Sequence, residues 1–329
     1  MLNFLLFIFG FILLIKGADW LVDGSSSLAR RLGIPDLVIG LTIVAFGTSA
    51  PELAVNIFSA IKGTSQIALG NVIGSNIANI LLILGSAALM RPLKVQRSTT
   101  WKEIPLSFLA VIITGLMIND TLIDRTPSSI LSRIDGFILL AFFIIFMYYT
   151  FGVAKEKKKE VVEKEKEEIK FVSLPTASLI TILGLASLII GGRWVVNNAI
   201  WLAKMIGVSE TLIGLTIVAV GTSLPELATS VIAAYKKSFD IALGNIVGSN
   251  IFNIFLILGV SSIIRPLIPP PAINVDIAIA GGASLILMLA IILSGHPTFF
   301  GKRYEIPRAQ GLLFLLFYFS YLAYLVYRG

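Results

Sequence analysis

The chain contains no cysteine and a single histidine, His296, and only 14% of its residues are charged. The missing cysteines exclude a disulfide framework and any thiolate metal site. One histidine cannot build an imidazole cage, so a bound metal must rest on oxygen ligands. The lone histidine, read as a structural loop residue, also leaves Ser49 and Ser223 without a general base. No G-x-S-x-G turn occurs, which argues against an intramembrane hydrolase and against an enzyme in general. The shortage of charge is the most telling absence. Soluble domains carry roughly 25% charged residues, whereas this chain is 56% hydrophobic with a mean hydropathy of +0.91.

Apolar stretches of about 20 residues, the length a spanning helix requires, recur along the whole chain. They lie near 2–22, 34–60, 67–90, 103–120, 134–153, 172–193, 208–234, 240–264, 274–294 and 308–327. The reading is an all-α polytopic membrane protein of about ten helices, five per half. The first stretch has no basic residues ahead of it and no A-x-A-like site before Lys16 and Asp19, so it reads as a retained helix, not a signal peptide. The net charge of +7 does not point to nucleic acid, because the basic residues sit between spans. One set of alternate loops holds 18 Lys and Arg and the other holds 6. The positive-inside rule puts the richer set in the cytoplasm and both termini outside, in a multi-pass protein of the cell (inner) membrane.

What the chain does have is a statement made twice. GLTIVAFGTSAPELAVNIFSA at 40–60 returns as GLTIVAVGTSLPELATSVIAA at 214–234, and GNVIGSNIANILLILG at 70–85 returns as GNIVGSNIFNIFLILG at 244–259. The offset is 174 residues throughout, and 30 of 46 positions are identical. A unit this long is a duplicated half-protein. An odd number of helices per half makes the second copy enter the membrane from the other face, giving an inverted repeat. The expected organisation is a first five-helix repeat at 1–153, a charged cytoplasmic linker at 154–171, and a second, inverted repeat at 172–329.

Each copy carries one mid-span carboxylate, Glu52 or Glu226, where a charge is penalised by about 3 kcal/mol on insertion scales. A salt bridge would be the ordinary explanation, but no Lys or Arg lies within 40–60, 67–85, 214–234 or 240–259. Permanent protonation of both carboxyls fits the oxygen-rich surroundings poorly. Each Glu follows a proline, in Thr48-Ser49-Ala50-Pro51-Glu52 and Thr222-Ser223-Leu224-Pro225-Glu226. Proline lacks an N–H, which frees the carbonyls of Gly47 and Gly221. Free carbonyls at membrane depth are tolerated only where they line a cavity or are buried in protein. Asn71, Ser75 and Asn79, and likewise Asn245, Ser249 and Asn253, stand on one helical face and supply an opposing polar wall. Asn76 and Asn250 face elsewhere and read as helix–helix hydrogen-bond formers. Gly70 and Gly74, like Gly244 and Gly248, form GxxxG packing motifs. An all-oxygen site leaves Ca²⁺, Mg²⁺, Mn²⁺, Na⁺ or K⁺, and the adaptable coordination of Ca²⁺ suits it better than the rigid octahedron of Mg²⁺.

The repeated G-T-S-x-P-E and G-S-N-I-x-N-I segments resemble the two alpha-repeats of the cation/calcium exchanger superfamily, and the whole chain looks like a prokaryotic sodium/calcium exchanger. The resemblance implies Ca²⁺ coordination by Glu52, Glu226 and the backbone oxygens of Thr48 and Thr222. It implies Na⁺ sites with Ser49, Ser75 and the carbonyl of Ala45 on one side, and Ser223, Ser249 and the carbonyl of Ala219 on the other. Asn79 and Asn253 would complete the centre. Ca²⁺ and Na⁺ would be the transported ions, with no cofactor and no protein partner, a monomer in the bilayer being sufficient. Relatives with Asp where this chain has Asn253 use potassium or hold that Asp protonated, so Asn253 weakens a potassium-coupled reading. A proton-coupled exchanger and a passive cation channel stand as the alternatives.

Overall fold

The computed structural model describes residues 2–97, 99–164, 172–206, 219–294, 296–298 and 301–328. Nearly everything described is helical, as a bilayer requires, since without water each backbone N–H and C=O must pair within its own segment. The first half comprises α1 (Leu2–Leu32), α2 (Asp36–Thr48), α3 (Ala50–Lys62), α4 (Ser65–Met90), α5 (Thr99–Met117) and α6 (Arg133–Lys164). The second comprises α7 (Leu174–Met205), α8 (Leu224–Tyr235), α9 (Phe239–Ile264), α10 (Ile273–Leu293) and α11 (Arg308–Arg328). Among the described residues eight helices are long and apolar enough to span singly, and the bent pair α2–α3 makes a ninth. The expected span near 208–234 is described only from 219 onward, and the linker beyond Lys164 also lies outside the described residues.

The repeat persists where sequence likeness has faded. α4 and α9 begin at 65 and 239 and end at 90 and 264, and α5 and α10 begin at 99 and 273, all at the same offset. Contacts between connecting segments sort into two faces. On one, the Arg31 guanidinium donates to the carbonyl of Val172 at 2.8 Å, and the Gln96 amide donates to Asp240 at 2.5 Å. On the other, Leu131 and Leu267 form a backbone bridge, Asn119 pairs with Asn274, and Arg133 donates to the carbonyl of Ile263. α4 ends on the first face and α9 on the second, so the equivalent helices run in opposite directions. The first face is the one rich in Lys and Arg.

Two features differ from the sequence expectation. α1 and α7 contain 31 and 32 residues and run about ten residues past their expected ends. The extra turns of α1 read as loop because of Ser25, Ser26, Ser27, Arg30 and Arg31, yet Leu28 and Ala29 are buried in the same cluster as Leu21 and Val22 and keep the segment helical. The connections after α4 and α10, read as loops, form a small antiparallel sheet on the basic face. Its strands are β1 (Leu93–Val95), β2 (His296–Thr298) and β3 (Gly301–Ile306), in the order β1-β3-β2, with Leu93 opposite Ile306. His296 is therefore a strand residue, and Leu93 and Ile306 are fully buried.

α4 and α9 form the buried centre, while α1, α6, α7 and α11 turn much of their surface outward. α6 packs on α9 through Phe142, Phe143 and Phe146 against Phe252 and Phe255. α1 and α7 pack against each other along a glycine seam. A Cβ on Gly17 would stand 2.9 Å from the carbonyl oxygen of Gly184 and 2.9 Å from the backbone nitrogen of Leu188. Backbones can approach this closely only where side chains are missing. Overpacking costs about 1–3 kcal/mol when neighbours can move, and here the neighbours are main chain. Gly17→Val is expected to lower the thermal unfolding midpoint of the detergent-purified protein markedly, and Gly17→Ala less so. A wild-type midpoint for Gly17→Val would show that this seam does not hold the pair together.

Candidate functional site

The span formed by α2 and α3 bends by 48° at Ser49. Ser49 leaves helical geometry at φ −81°, ψ 7°, and its repeat partner Ser223 does so at φ −87°, ψ 8°. The cause is local. Pro51 and Pro225 fall in the first turn of α3 and α8, where their missing N–H is harmless to the new helix but ends the old one. Each break thus starts a fresh helix inside the span, with Glu52 or Glu226 in its first turn, where the helix dipole favours a carboxylate.

Glu52 and Glu226 are each only 1% exposed. Their hydrogen bonds cross between the halves. The Ser49 hydroxyl donates to Glu226 Oε1 at 2.9 Å, and the Ser223 hydroxyl donates to Glu52 Oε1 at 3.2 Å. Ser249 lies 3.5 Å from Glu226 Oε1, and Ser223 lies 3.3 Å from Ser75. The serines therefore group as Ser49 with Ser249 about Glu226, and Ser223 with Ser75 about Glu52. This differs from the same-repeat sets expected above, because inverted halves face one another and each broken helix meets the partner half's carboxylate. The ion pairs described lie elsewhere: Lys236 with Asp19 and Asp23, and Arg328 with Asp276.

Four buried oxygens at this place have no hydrogen-bond donor: Glu52 Oε2, Glu226 Oε2, Asn79 Oδ1 and Asn253 Oδ1. They are two repeat-related pairs. Helices α4 and α9 widen to π geometry at the same point, over Asn79–Leu84 and Phe252–Leu258, a local distortion frequent at functional sites. Buried polar atoms nearly always find partners; of the nine buried side-chain atoms without one among the described residues, these four are the ones related by the repeat. The remaining expected residues surround this set. The carbonyl of Ala45 accepts the Ser49 N–H at 3.0 Å and the Thr48 hydroxyl at 3.3 Å. Ala219 opens the short helical turn Ala219–Gly221 just before the second break. Thr48 and Thr222 immediately precede the two breaking serines.

Asn71 and Asn245 play a different part from the one their helical face implied. The Asn71 amide donates to Asn56 Oδ1 at 2.7 Å and to the carbonyl of Glu52 at 3.4 Å, and Asn245 donates to Ser230 at 3.0 Å and to the carbonyl of Glu226 at 3.4 Å. They brace the broken helices against α4 and α9. Asn56 and Ser230, one turn beyond the carboxylates, were not singled out from the sequence. Their 174-residue spacing was the available signal.

The two halves are alike in sequence and unlike in exposure. Thr48 is buried and donates to Asn245 Oδ1 at 2.9 Å, while Thr222 is half-buried and lies 3.5 Å from Asn71 Oδ1. A Cβ on Gly244 would stand 2.9 Å from Gly40 Cα, and one on Gly248 would stand 2.8 Å from Ala45 Cβ. Among the described residues nothing lies within 4 Å of a Cβ placed on Gly70 or Gly74. Both instead line a cavity of about 410 Å³ that touches Asn71, Ser75 and Thr222 at one end and Asp276, Tyr321 and Arg328 at the other. The lining thus runs from the centre to Arg328 at the end of α11, on the face poor in Lys and Arg.

Inverted halves, helices broken at a paired carboxylate and an all-oxygen lining define a secondary transporter for cations. The comparisons agree. The family profile described as sodium/calcium exchanger protein matches residues 2–152 and 176–327. The putative antiporter CaxA of Alkalimonas amylolytica is 40% identical over 95% of this chain and 95% of its own. The sodium/calcium exchanger MaX1 of Methanosarcina acetivorans is 33% identical, covering 99% of each chain. A solved structure of the sodium-calcium exchanger NCX_Mj superposes with a TM-score of 0.80 at 33% identity, covering 98% of each chain. The chain belongs to the sodium/calcium exchanger family, a family of transporters and not of enzymes. It is a multi-pass membrane protein with that exchanger fold, in which ten helices and two inverted repeats are accommodated.

The close packing at Gly244 is open to a direct test. Gly244→Ala is expected to lower the unfolding midpoint of the purified protein, because the added methyl meets the backbone of Gly40 and Leu41. A wild-type midpoint would contradict that packing.

Proposed function

We propose that this protein exchanges Na⁺ for Ca²⁺ by alternating access, the two ions competing for the oxygens gathered about Glu52 and Glu226. The observation that carries this reading is the set of four donorless buried oxygens around a carboxylate pair that no Lys or Arg contacts. A charge of −2 matches one Ca²⁺ or two Na⁺. Ca²⁺ lies between the carboxylates with the backbone oxygens of Thr48 and Thr222, and Asn79 and Asn253 complete its shell. Na⁺ binds beside Ser49, Ser249 and the carbonyl of Ala45, and beside Ser223, Ser75 and the carbonyl of Ala219.

The basic face is cytoplasmic, both termini lie outside, and the cavity opens outward. The repeats 1–153 and 172–329, joined by the linker 154–171, form one transport unit in a single copy of the chain. Among the described residues α1 and α7 contribute no side chain to the hydrogen bonds of the site, and they move as a pair over the remaining helices. An unloaded site carries two uncompensated carboxylates, whose passage through an apolar barrier is penalised by several kcal/mol. Loading with either cargo removes that penalty, and the ion shifts the conformational equilibrium by its different affinity for the states.

Three outcomes follow. Glu52→Gln and Glu226→Gln are each expected to reduce Na⁺-driven ⁴⁵Ca²⁺ uptake into proteoliposomes to background while leaving the folded yield intact, because no buried cation is orphaned. Uptake near the wild-type rate in either variant would show that the site lies elsewhere. Transport is expected in potassium-free buffer, since Asn253 supplies no third carboxylate, and a requirement for K⁺ on the calcium side would favour potassium coupling. Ca²⁺-loaded vesicles are expected to release the ion only with Na⁺ or Ca²⁺ outside. Steady efflux into choline buffer would favour a channel, and efflux driven by a proton gradient alone a proton-coupled exchanger.

A further inference from the structure

Asn76 and Asn250 are no more than 2% exposed and connect the two central helices. The Asn79 amide nitrogen donates to Asn250 Oδ1 at 2.9 Å, and the Asn253 amide nitrogen donates to Asn76 Oδ1 at 3.0 Å. Asn76 in turn donates to the backbone carbonyl of Asn250 at 3.2 Å, which fixes its own orientation. A primary amide has its donor and acceptor on opposite tips. Each nitrogen engaged across the α4–α9 seam therefore turns the oxygen of the same amide the other way. Those two oxygens, Asn79 Oδ1 and Asn253 Oδ1, are the ones without a donor.

Rotating either amide by half a turn would set oxygen against oxygen at Asn76 or Asn250, and would aim an NH₂ group at the place meant for a cation. Space for adjustment is small, because Asn250 borders a cavity of only about 10 Å³, near the lower limit for one water. We propose that Asn76 and Asn250 are positioning residues that set cation affinity, by holding the amide oxygens of Asn253 and Asn79 toward the ion between Glu52 and Glu226. The inference deepens the exchange reading and rests on it. Each half orients the ligand of the other, so the shell is assembled only where α4 and α9 are in register.

The test uses Ca²⁺ itself as the probe on the full-length protein, read in two ways. One readout is the rise of the unfolding midpoint with Ca²⁺, which reports binding without transport. The other is half-saturating Ca²⁺ for Na⁺-driven uptake. Partners that orient metal ligands typically alter affinity about 10–100-fold when removed, and Asn76→Ala and Asn250→Ala are expected to weaken both readouts within that range. Asn250→Asp keeps an acceptor for the Asn79 nitrogen and is expected to bind Ca²⁺ at least as tightly as wild type. A purely structural role predicts the reverse order, since Asp adds a buried charge to a packed seam. If an alanine variant does not fold, Asn250→Gln, which displaces the acceptor by one methylene, carries the same expected weakening. Folded alanine or glutamine variants with wild-type Ca²⁺ dependence would overturn the proposal, as would an Asp variant as weak as Ala. Normal Ca²⁺ binding by wild-type protein that shows no Na⁺-coupled uptake would overturn the exchange reading and leave the positioning role to be judged on the midpoint shifts.

Discussion

Two like charges buried without a counter-charge are the constraint on which this structure depends. A low-dielectric interior tolerates a carboxylate pair only when a bound cation, dense hydrogen bonding or a shared proton offsets the repulsion. The protein supplies part of that support itself. Serine hydroxyls bond one oxygen of each carboxylate, asparagines brace the backbone just behind, and fresh helix termini point partial positive charge at both. It withholds the rest: the second oxygen of each Glu has no donor among the described residues. Breaks at Ser49 and Ser223, π turns after Asn79 and at Asn253, and the asparagine ties across α4 and α9 all serve this one arrangement.

Duplication explains how one chain meets that demand twice over. The inverted relation turns each broken helix toward the other half, so every carboxylate is held by a serine from the opposite repeat. Neither half has a complete site by itself.

The charge-bearing centre was legible in the sequence because it is repeated and because mid-span Glu, Pro and Ser each violate the expectations for a lipid-facing helix. Spans were legible from hydropathy, yet α1 and α7 were read short, since a run of serines and arginines looks like a loop when only two buried positions per turn hold it helical. The strands around Leu93 and Ile306 were invisible because three paired residues leave no periodicity to detect. Asn76 and Asn250 were seen as partners between helices, but their hold on the amides of Asn253 and Asn79 was not. It depends on which tip of an amide faces which neighbour, a property carried by the packing of two distant segments. Which copy of the GxxxG motif lines the cavity was beyond sequence altogether, because like residues cannot announce it.

The length of α1 and α7 has a consequence outside the protein. A helix of 31 residues is about 46 Å long at 1.5 Å per residue, whereas the hydrocarbon core of a bilayer is about 30 Å thick. The last turns of α1, with Asp23, Ser25, Ser26, Ser27, Arg30 and Arg31, therefore extend past the hydrocarbon into the headgroup layer, while the tilt of the pair is set by its packing on the neighbouring helices. Were the pair to slide along its seam, those charged turns would move relative to the headgroups, and the lipid surface would enter the free-energy difference between the states.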